Sequence, residues 1–231
     1  VQKTDKLVLV GDSAFAEIAY EYFTHDSPYE VVAFSVDRAW MRKDTIFGKP
    51  VVPFEELERW YPPGEHAVYA ASTYTKLNRL RTRFCDDAKR RGYRLASYVS
   101  SRAFVWRNVP IGEHAFIFED NTIQPFVKIG RNVVLWSGNH IGHHSTIGDN
   151  VFISSHVVLS GFCGVGDNGF MGVNATVANN VTIGEDVLVG AGAIVLKDVP
   201  ANTLIGSRAT EPHPKKTARQ FFGVDDATAP S

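Results

Sequence analysis

Four histidines fall within 17 residues of this 231-residue chain: His140, His143, His144 and His156. An imidazole titrates near neutrality, which suits it to take a proton from a nucleophile, and it is also the commonest zinc ligand. A second place for chemistry is Gly11-Asp12-Ser13, which follows the apolar run KLVLV and opens a helix-like stretch at 14–23. A strand, a turn and a helix in this order present backbone N–H groups to an anion. The turn lacks the three glycines of a dinucleotide fingerprint, so a nicotinamide cofactor is disfavoured. Asp37 ends the second apolar run, 30–36, where a carboxylate either meets a ribose or solvates a strand end. Cys85 lies in a charged helix and Cys163 in an apolar frame, which points to neither a disulfide nor a covalent relay.

The elements that must position these residues divide the chain in two. In the first half, apolar runs at 6–10, 30–36 and 67–71 alternate with helical patterns at 14–23, 54–60 and 75–91, and a last strand is expected at 93–99. This order predicts an α/β domain with a small parallel sheet at 1–98. The charges of the 75–91 helix (Lys76, Arg79, Arg81, Arg83, Lys89, Arg90 and Arg91, with Asp86 and Asp87) spread around it and read as a solvated face rather than a nucleic-acid patch.

From Val99 onward every sixth residue is aliphatic, through Val105, Ile111 and Ile117 to Val189 and Val195, seventeen positions without a slip. Gly follows the aliphatic residue at 112, 130, 142, 148, 166, 172, 184 and 190, and four places after the aliphatic residue the side chain is usually small or β-branched. Neither a helix nor a hairpin sheet has a period of six. A β-solenoid does, each hexad giving one short strand and one corner, with the aliphatic side chain inward. Asn121 and Asn139, 18 apart at inward positions, are expected to satisfy each other as a ladder between stacked rungs. The register is expected to end at 197–200, leaving a tail at 207–231 with a short helix at 215–222.

In the hexad frame His143 and His144 share one corner, His140 points outward on the face leading to it, and His156 falls on a different corner. Gly161 lies one rung from His143, so a base stands beside a backbone amide able to polarise a carbonyl.

The pattern resembles the hexapeptide-repeat, left-handed parallel β-helix family, whose coils have three faces. With its α/β N-terminal domain, the chain up to about residue 209 is similar to sugar-nucleotide N-acyltransferases of the bacillosamine-pathway and perosamine type, and to the sialic acid O-acetyltransferase group. The resemblance implies transfer of an acyl group, acetyl in the first instance, from acyl-CoA to the amine of a nucleotide-linked 4-amino-4,6-dideoxy sugar. That sugar serves bacterial surface glycan (lipopolysaccharide O-antigen) synthesis, and the enzyme is a homotrimer holding acyl-CoA between adjacent coils. In that family the catalytic histidine stands two places after a hexad isoleucine and is followed by an acidic residue. Ile141-Gly142-His143-His144-Ser145-Thr146-Ile147-Gly148 aligns without a gap and puts the base at His143. The resemblance further implies Gly161 N–H on the acyl carbonyl, and Val173, Gly190 and Ala191 along CoA. Gly11, Asp12, Ser13 and Asp37 then serve the nucleotide-sugar. Lys197, Arg208, Lys215 and Lys216 are placed near the CoA phosphates by location. His144 replaces the family's acidic partner, so a carboxylate from a neighbouring chain, an unaided base, or a share taken by His140 all remain open.

Three other readings stand beside this one. An O-acetyltransferase differs only in the acceptor. A γ-type carbonic anhydrase needs three convergent imidazoles, which the spacing of these histidines does not provide; no metal is expected. A non-enzymatic β-helix module is the third. With 24 basic and 25 acidic side chains and a net charge of −1, the chain has no global field for nucleic acid. It shows no signal-peptide pattern or membrane-length apolar run, so a cytoplasmic protein is expected.

Overall fold

A computed structural model describes residues 2–207, 214–215 and 217–224. Its N-terminal part holds β1 (Asp5–Val10), α1 (Ala14–His25), β2 (Tyr29–Val36), β3 (Thr45–Ile46), β4 (Lys49–Pro53), α2 (Leu57–Trp60), β5 (His66–Ala70), α3 (Arg79–Arg90) and β6 (Arg94–Leu95). The sheet order is β3-β4-β2-β1-β5-β6, parallel throughout except for β3 against β4. Along β1 the side chains alternate as the pleat demands: Leu7 and Leu9 pack with Phe15 and Phe23 of α1, and Val8 and Val10 with Phe84 and Ala88 of α3. Covered on both faces, β1 and β5 read as unbroken apolar runs.

The expected helix at 75–91 begins only at Arg79, because Lys76, Leu77 and Asn78 all take left-handed conformations (φ 52°, 49° and 68°). The expected strand at 93–99 is two: Arg94–Leu95 closes the sheet, and Tyr98–Val99 begins the coil.

The rest is a left-handed parallel β-helix of two-residue strands. Its first face stacks Phe104–Val105, Thr122–Ile123, His140–Ile141, Val158–Leu159, Thr176–Val177 and Ile194–Val195. Its second face runs from Lys128–Ile129 to Thr182–Ile183, and its third from Tyr98–Val99 through Val134–Leu135 to Leu204–Ile205. Paired residues are 18 apart, as in Ile123 with Ile141 and Ile141 with Leu159. The aliphatic residue of each hexad points inward, and from Ile117 to Val195 all of them are buried in one core. Gly follows so often for a steric reason: a Cβ on Gly112, Gly142 or Gly172 would lie 2.5 Å from backbone of the next rung.

Three expectations need correction. Val99 is exposed, having no rung beneath it, and Tyr98 is buried instead. The register does not end at 197–200: Val199 bridges Ile183 and Leu204–Ile205 pairs with Leu188–Val189, both 16 apart, so the last turn is two residues short. The Asp198 carboxylate accepts the Thr182 N–H at 2.7 Å in this shortened turn. Asn121 and Asn139 are both buried but do not ladder: Asn121 Nδ2 donates to the Phe118 and Trp136 carbonyls (both 2.9 Å), and Asn139 Oδ1 accepts from Val157 N–H (2.7 Å).

The N-terminal domain sits on the third face, where Phe116, Phe118, Val134 and Phe152 join the α1 side of its core. In the tail the helix is α4 (Ala218–Phe221), shorter than the expected 215–222, with a Thr217 capping box. No helix among the described residues is long and apolar enough to cross a membrane.

Candidate active site

From 114 to 192 each coil corner carries one residue with φ near +60°, a conformation that, after Gly, Asn tolerates best. Asn132, Asn150 and Asn168 hold it at one vertex. At the vertex between the first and second faces it falls instead on Phe126, His144 and Phe162, with φ of 66°, 58° and 59°. Bulky side chains there cost of order 1–3 kcal/mol each. Strain repeated on three rungs marks this vertex as the place to look for function.

The three rings stack: His144 lies 4.6 Å from Phe126 and 4.8 Å from Phe162, centroid to centroid, with planes 30° and 19° apart. The sandwich fixes the His144 ring, whose Nδ1 is 3.1 Å from Nδ1 of His143. A contact at that distance requires one proton between the two nitrogens. With that proton on His143, its Nε2 is left unprotonated and able to accept. The backbone N–H of His143 donates to Gln124 Oε1 at 2.9 Å, and Phe162 meets the ring edge to face at 5.1 Å.

The His143 ring lies directly over Gly161. A Cβ on Gly161 would stand 2.7 Å from His143 Cε1 and 2.9 Å from Nε2, so glycine alone leaves this space. The Gly161 N–H, expected to face an acyl carbonyl, is already donated to Asn179 Oδ1 at 2.9 Å. It becomes a donor for a ligand only when that carboxamide turns away. Lys197 is exposed in the shortened last turn at the coil's end.

His140 is half-buried on the first face, paired with Thr122 and Val158, and makes no side-chain hydrogen bond among the described residues. His156 is apart from the other three, against Gly138 at the vertex between the third and first faces. Val173 (45% exposed), Gly190 and Ala191 belong to that vertex too, so they do not touch the histidine pair. The first face joins the two vertices and shows Val158 and Ile194 to solvent. Arg208 and Lys216 lie outside the described residues; Lys215 is exposed. Among the described residues no three metal-ligating side chains converge. Cys85 and Cys163 are buried, and burial pushes the Cys85 thiol up to about 12 and raises that of Cys163, so neither is a ready nucleophile.

A cavity of about 520 Å³ opens in the N-terminal domain at the carboxyl ends of β1, β2 and β5, where the chain turns from one side of β1 to the other. This is the ligand crevice of open α/β sheets. Gly11, Asp12, Ser13 and Asp37 all line it, as expected. Gly11 (φ 133°) admits no side chain, since a Cβ would lie 2.8 Å from the Ala71 carbonyl oxygen. Asp37 is not free: its carboxylate pairs with Arg83 at 2.5 Å. Trp40, Arg42, Ser72, Thr73 and Thr75 complete the wall and are not singled out by the sequence, although Trp40 and Arg42 closely follow the strand end that points to Asp37. Its wall residue Thr73 also borders the third face, beside Trp136 and Phe152, while His143 stands at the vertex between the other two faces.

Residues 127–161 match the model of the bacterial transferase hexapeptide, six repeats. The match falls on the middle rungs of the coil, where the period of six is unbroken. The matched rungs include His143 and end at Gly161; the shortened last turn lies beyond them. No curated protein matches the chain. Among solved structures, the acetyltransferase domain of PglB from Neisseria gonorrhoeae is 22% identical, with a TM-score of 0.78 over 91% of this chain and 100% of that one. PerB from Caulobacter crescentus, in complex with CoA and GDP-perosamine, is 25% identical with a TM-score of 0.78 over 90% and 96%. WeeI from Acinetobacter baumannii is 22% identical with a TM-score of 0.67 over 87% and 96%. The likeness runs through both the α/β domain and the hexapeptide coil.

Proposed function

We propose that the chain is an acyl-CoA-dependent N-acyltransferase, acetyl-CoA being the first donor to test, which acts on the amine of a nucleotide-linked 4-amino-4,6-dideoxy sugar. The observation that carries the reading is His143, its ring set over a glycine and its Nδ1 tied to His144. The CoA and GDP-perosamine bound to PerB support the two substrate classes.

The substrate amine attacks the thioester carbonyl while His143 Nε2 takes the departing proton. Gly161 N–H, released by Asn179, holds the oxyanion. The tetrahedral species collapses with cleavage of the C–S bond, and the proton passes from His143 to the CoA sulfur, giving amide and free thiol. No covalent enzyme intermediate is needed. Val173, Gly190, Ala191, Lys197 and Arg208 are assigned to CoA, which runs along the first face.

The cavity and His143 are on opposite sides of one coil, whose hexad edge of six residues spans up to about 20 Å. On this reading a nucleotide-sugar held in the cavity meets the His143 of another copy of the chain, with the reaction between chains of a homotrimer. Incubating the protein with UDP-, dTDP- and GDP-linked 4-amino sugars and acetyl-CoA or longer acyl-CoAs, read by mass spectrometry, tests the proposal. One of the sugars gains an acyl mass with the wild-type chain and not with His143→Ala. Absence of transfer from any donor, with no retention on CoA resin, rejects it.

A further inference from the structure

Arg81 is completely buried between the two domains, and among the described residues no carboxylate pairs with it. All five of its hydrogen bonds go to oxygens of uncharged groups. On the coil side Nε donates to Asn132 Oδ1 (2.8 Å), and Nη2 to the carbonyls of Asn132 (3.2 Å) and Asn150 (3.4 Å). On the other side Nη1 donates to the carbonyls of Ser72 (3.3 Å) and Thr73 (2.5 Å), both in the cavity wall.

Two neighbours on the same helix entrance extend the pattern up the coil. Asn78, also fully buried, donates from Nδ2 to the Asn168 and Gly169 carbonyls (both 3.1 Å), and Arg79 pairs with Asp186 at 2.5 Å. Residues 132, 150, 168 and 186 are the same corner position on four successive rungs. Between these anchors, Tyr74 rests on Phe152 and Phe170 with centroids 5.2 and 4.7 Å away. Three consecutive left-handed residues, 76–78, are an arrangement that a free chain leaves and that fixed anchors must hold.

We propose that Arg81 is a positioning residue: its guanidinium ties the cavity wall at 72–75 to the coil, setting where the bound nucleotide-sugar presents its acceptor group. This rests on the reading of the cavity given above. Arg81 touches no reacting atom and lies across the coil from the His143 vertex, so its loss acts on one substrate only.

The test compares wild type, Arg81→Lys and Arg81→Met by hydrogen exchange and by kinetics with each substrate varied in turn. Lysine keeps the charge but not the planar fork that reaches both sides. In Arg81→Lys, amide exchange across 71–80 rises about 10-fold while peptides of β1 and the coil stay within about 2-fold. KM for the nucleotide-sugar rises about 10-fold with KM for acyl-CoA unchanged, and Arg81→Met is worse in the same direction. Unchanged exchange at 71–80 overturns the proposal, as does an equal rise in both KM values. Unfolding of Arg81→Lys overturns it too, because a residue that positions one segment is not required for the fold. If the wild-type chain acylates no amino-sugar nucleotide, the proposed activity has failed, and the exchange measurement still decides whether Arg81 holds the wall.

Discussion

His114 should make the protein lose stability on mild acidification, by an amount the structure sets. The ring is fully buried and stacked on Tyr69, 4.3 Å between centroids with planes 8° apart. Its Nε2 accepts the Ala70 N–H at 2.8 Å, and its Nδ1–H donates to Asn132 Oδ1 at 2.9 Å. A second proton would land on Nε2, against a donor, in a site that also holds the Arg81 charge. Burial first, and then Arg81, push the His114 pKa down to about 3. The unfolded chain's histidine titrates near 6.5, so between the two values the unfolded state binds one more proton. Stability is then complete above about pH 6.5 and falls by about 1.4 kcal/mol for each unit below it, which makes about 2 kcal/mol at pH 5. Urea unfolding of wild type and His114→Gln at pH 7.5, 6.5, 5.5 and 5.0, at one protein concentration, isolates this contribution, because every other titrating group is common to both. The wild-type curve should drop more steeply by about 2 kcal/mol over that range. Parallel curves would refute the assignment of a neutral, doubly hydrogen-bonded ring.

The glycines separate fold from site. Gly142→Ala places a methyl 2.5 Å from the Ser160 backbone carbon, which cannot move, and should cost roughly 2–4 kcal/mol in thermal or urea unfolding. The three atoms nearest a Gly161→Ala methyl all belong to the His143 ring, which can swing aside, so turnover should fall about 100-fold with stability little changed. His143→Ala should lose about 10²- to 10⁴-fold in kcat, His144→Ala about 10-fold, and His140→Ala less than about 3-fold. Full turnover in the His143 variant would remove it as the base, and a loss in His140→Ala matching that of His143→Ala would move the role to His140.

How much of the molecule is legible in the sequence follows from what a period of six determines. A fixed hexad places every side chain inside, outside or at a corner, so the spacing alone yields the buried run from Ile117 to Val195, the shared corner of His143 and His144 and the separation of His156. The same rule fails where contacts come from outside the repeat. Val199 is core only because two residues are missing from the last turn, which the spacing does not show. The amide ladder forms not between Asn121 and Asn139 but between Asn132 Nδ2 and Asn150 Oδ1, at 2.8 Å. The first pair faces a narrow interior where the nearest acceptors are the chain's own corner carbonyls, whereas the second faces Arg81 and His114, which orient it. Arg81 reads as one charge of a solvated helix face, because charge spread around a helix carries no information about what packs on it.

The contact between His143 and His144 bears on the question that the missing carboxylate raises. An acidic partner holds a catalytic histidine by accepting its second N–H and favours the charged imidazolium. His144 can accept the same N–H, with its ring already fixed between Phe126 and Phe162, but it supplies no negative charge. Orientation is therefore retained and imidazolium stabilisation is given up. His144→Glu tests this division directly. If charge is what the pair lacks, the variant should shift the acid limb of the kcat/KM profile upward in pH, because a carboxylate raises the pKa of its neighbour and protonated His143 is inactive as a base. An unchanged acid limb, with turnover lowered as in His144→Ala, would show that the stacked ring is needed for its shape and not replaced by a better acceptor.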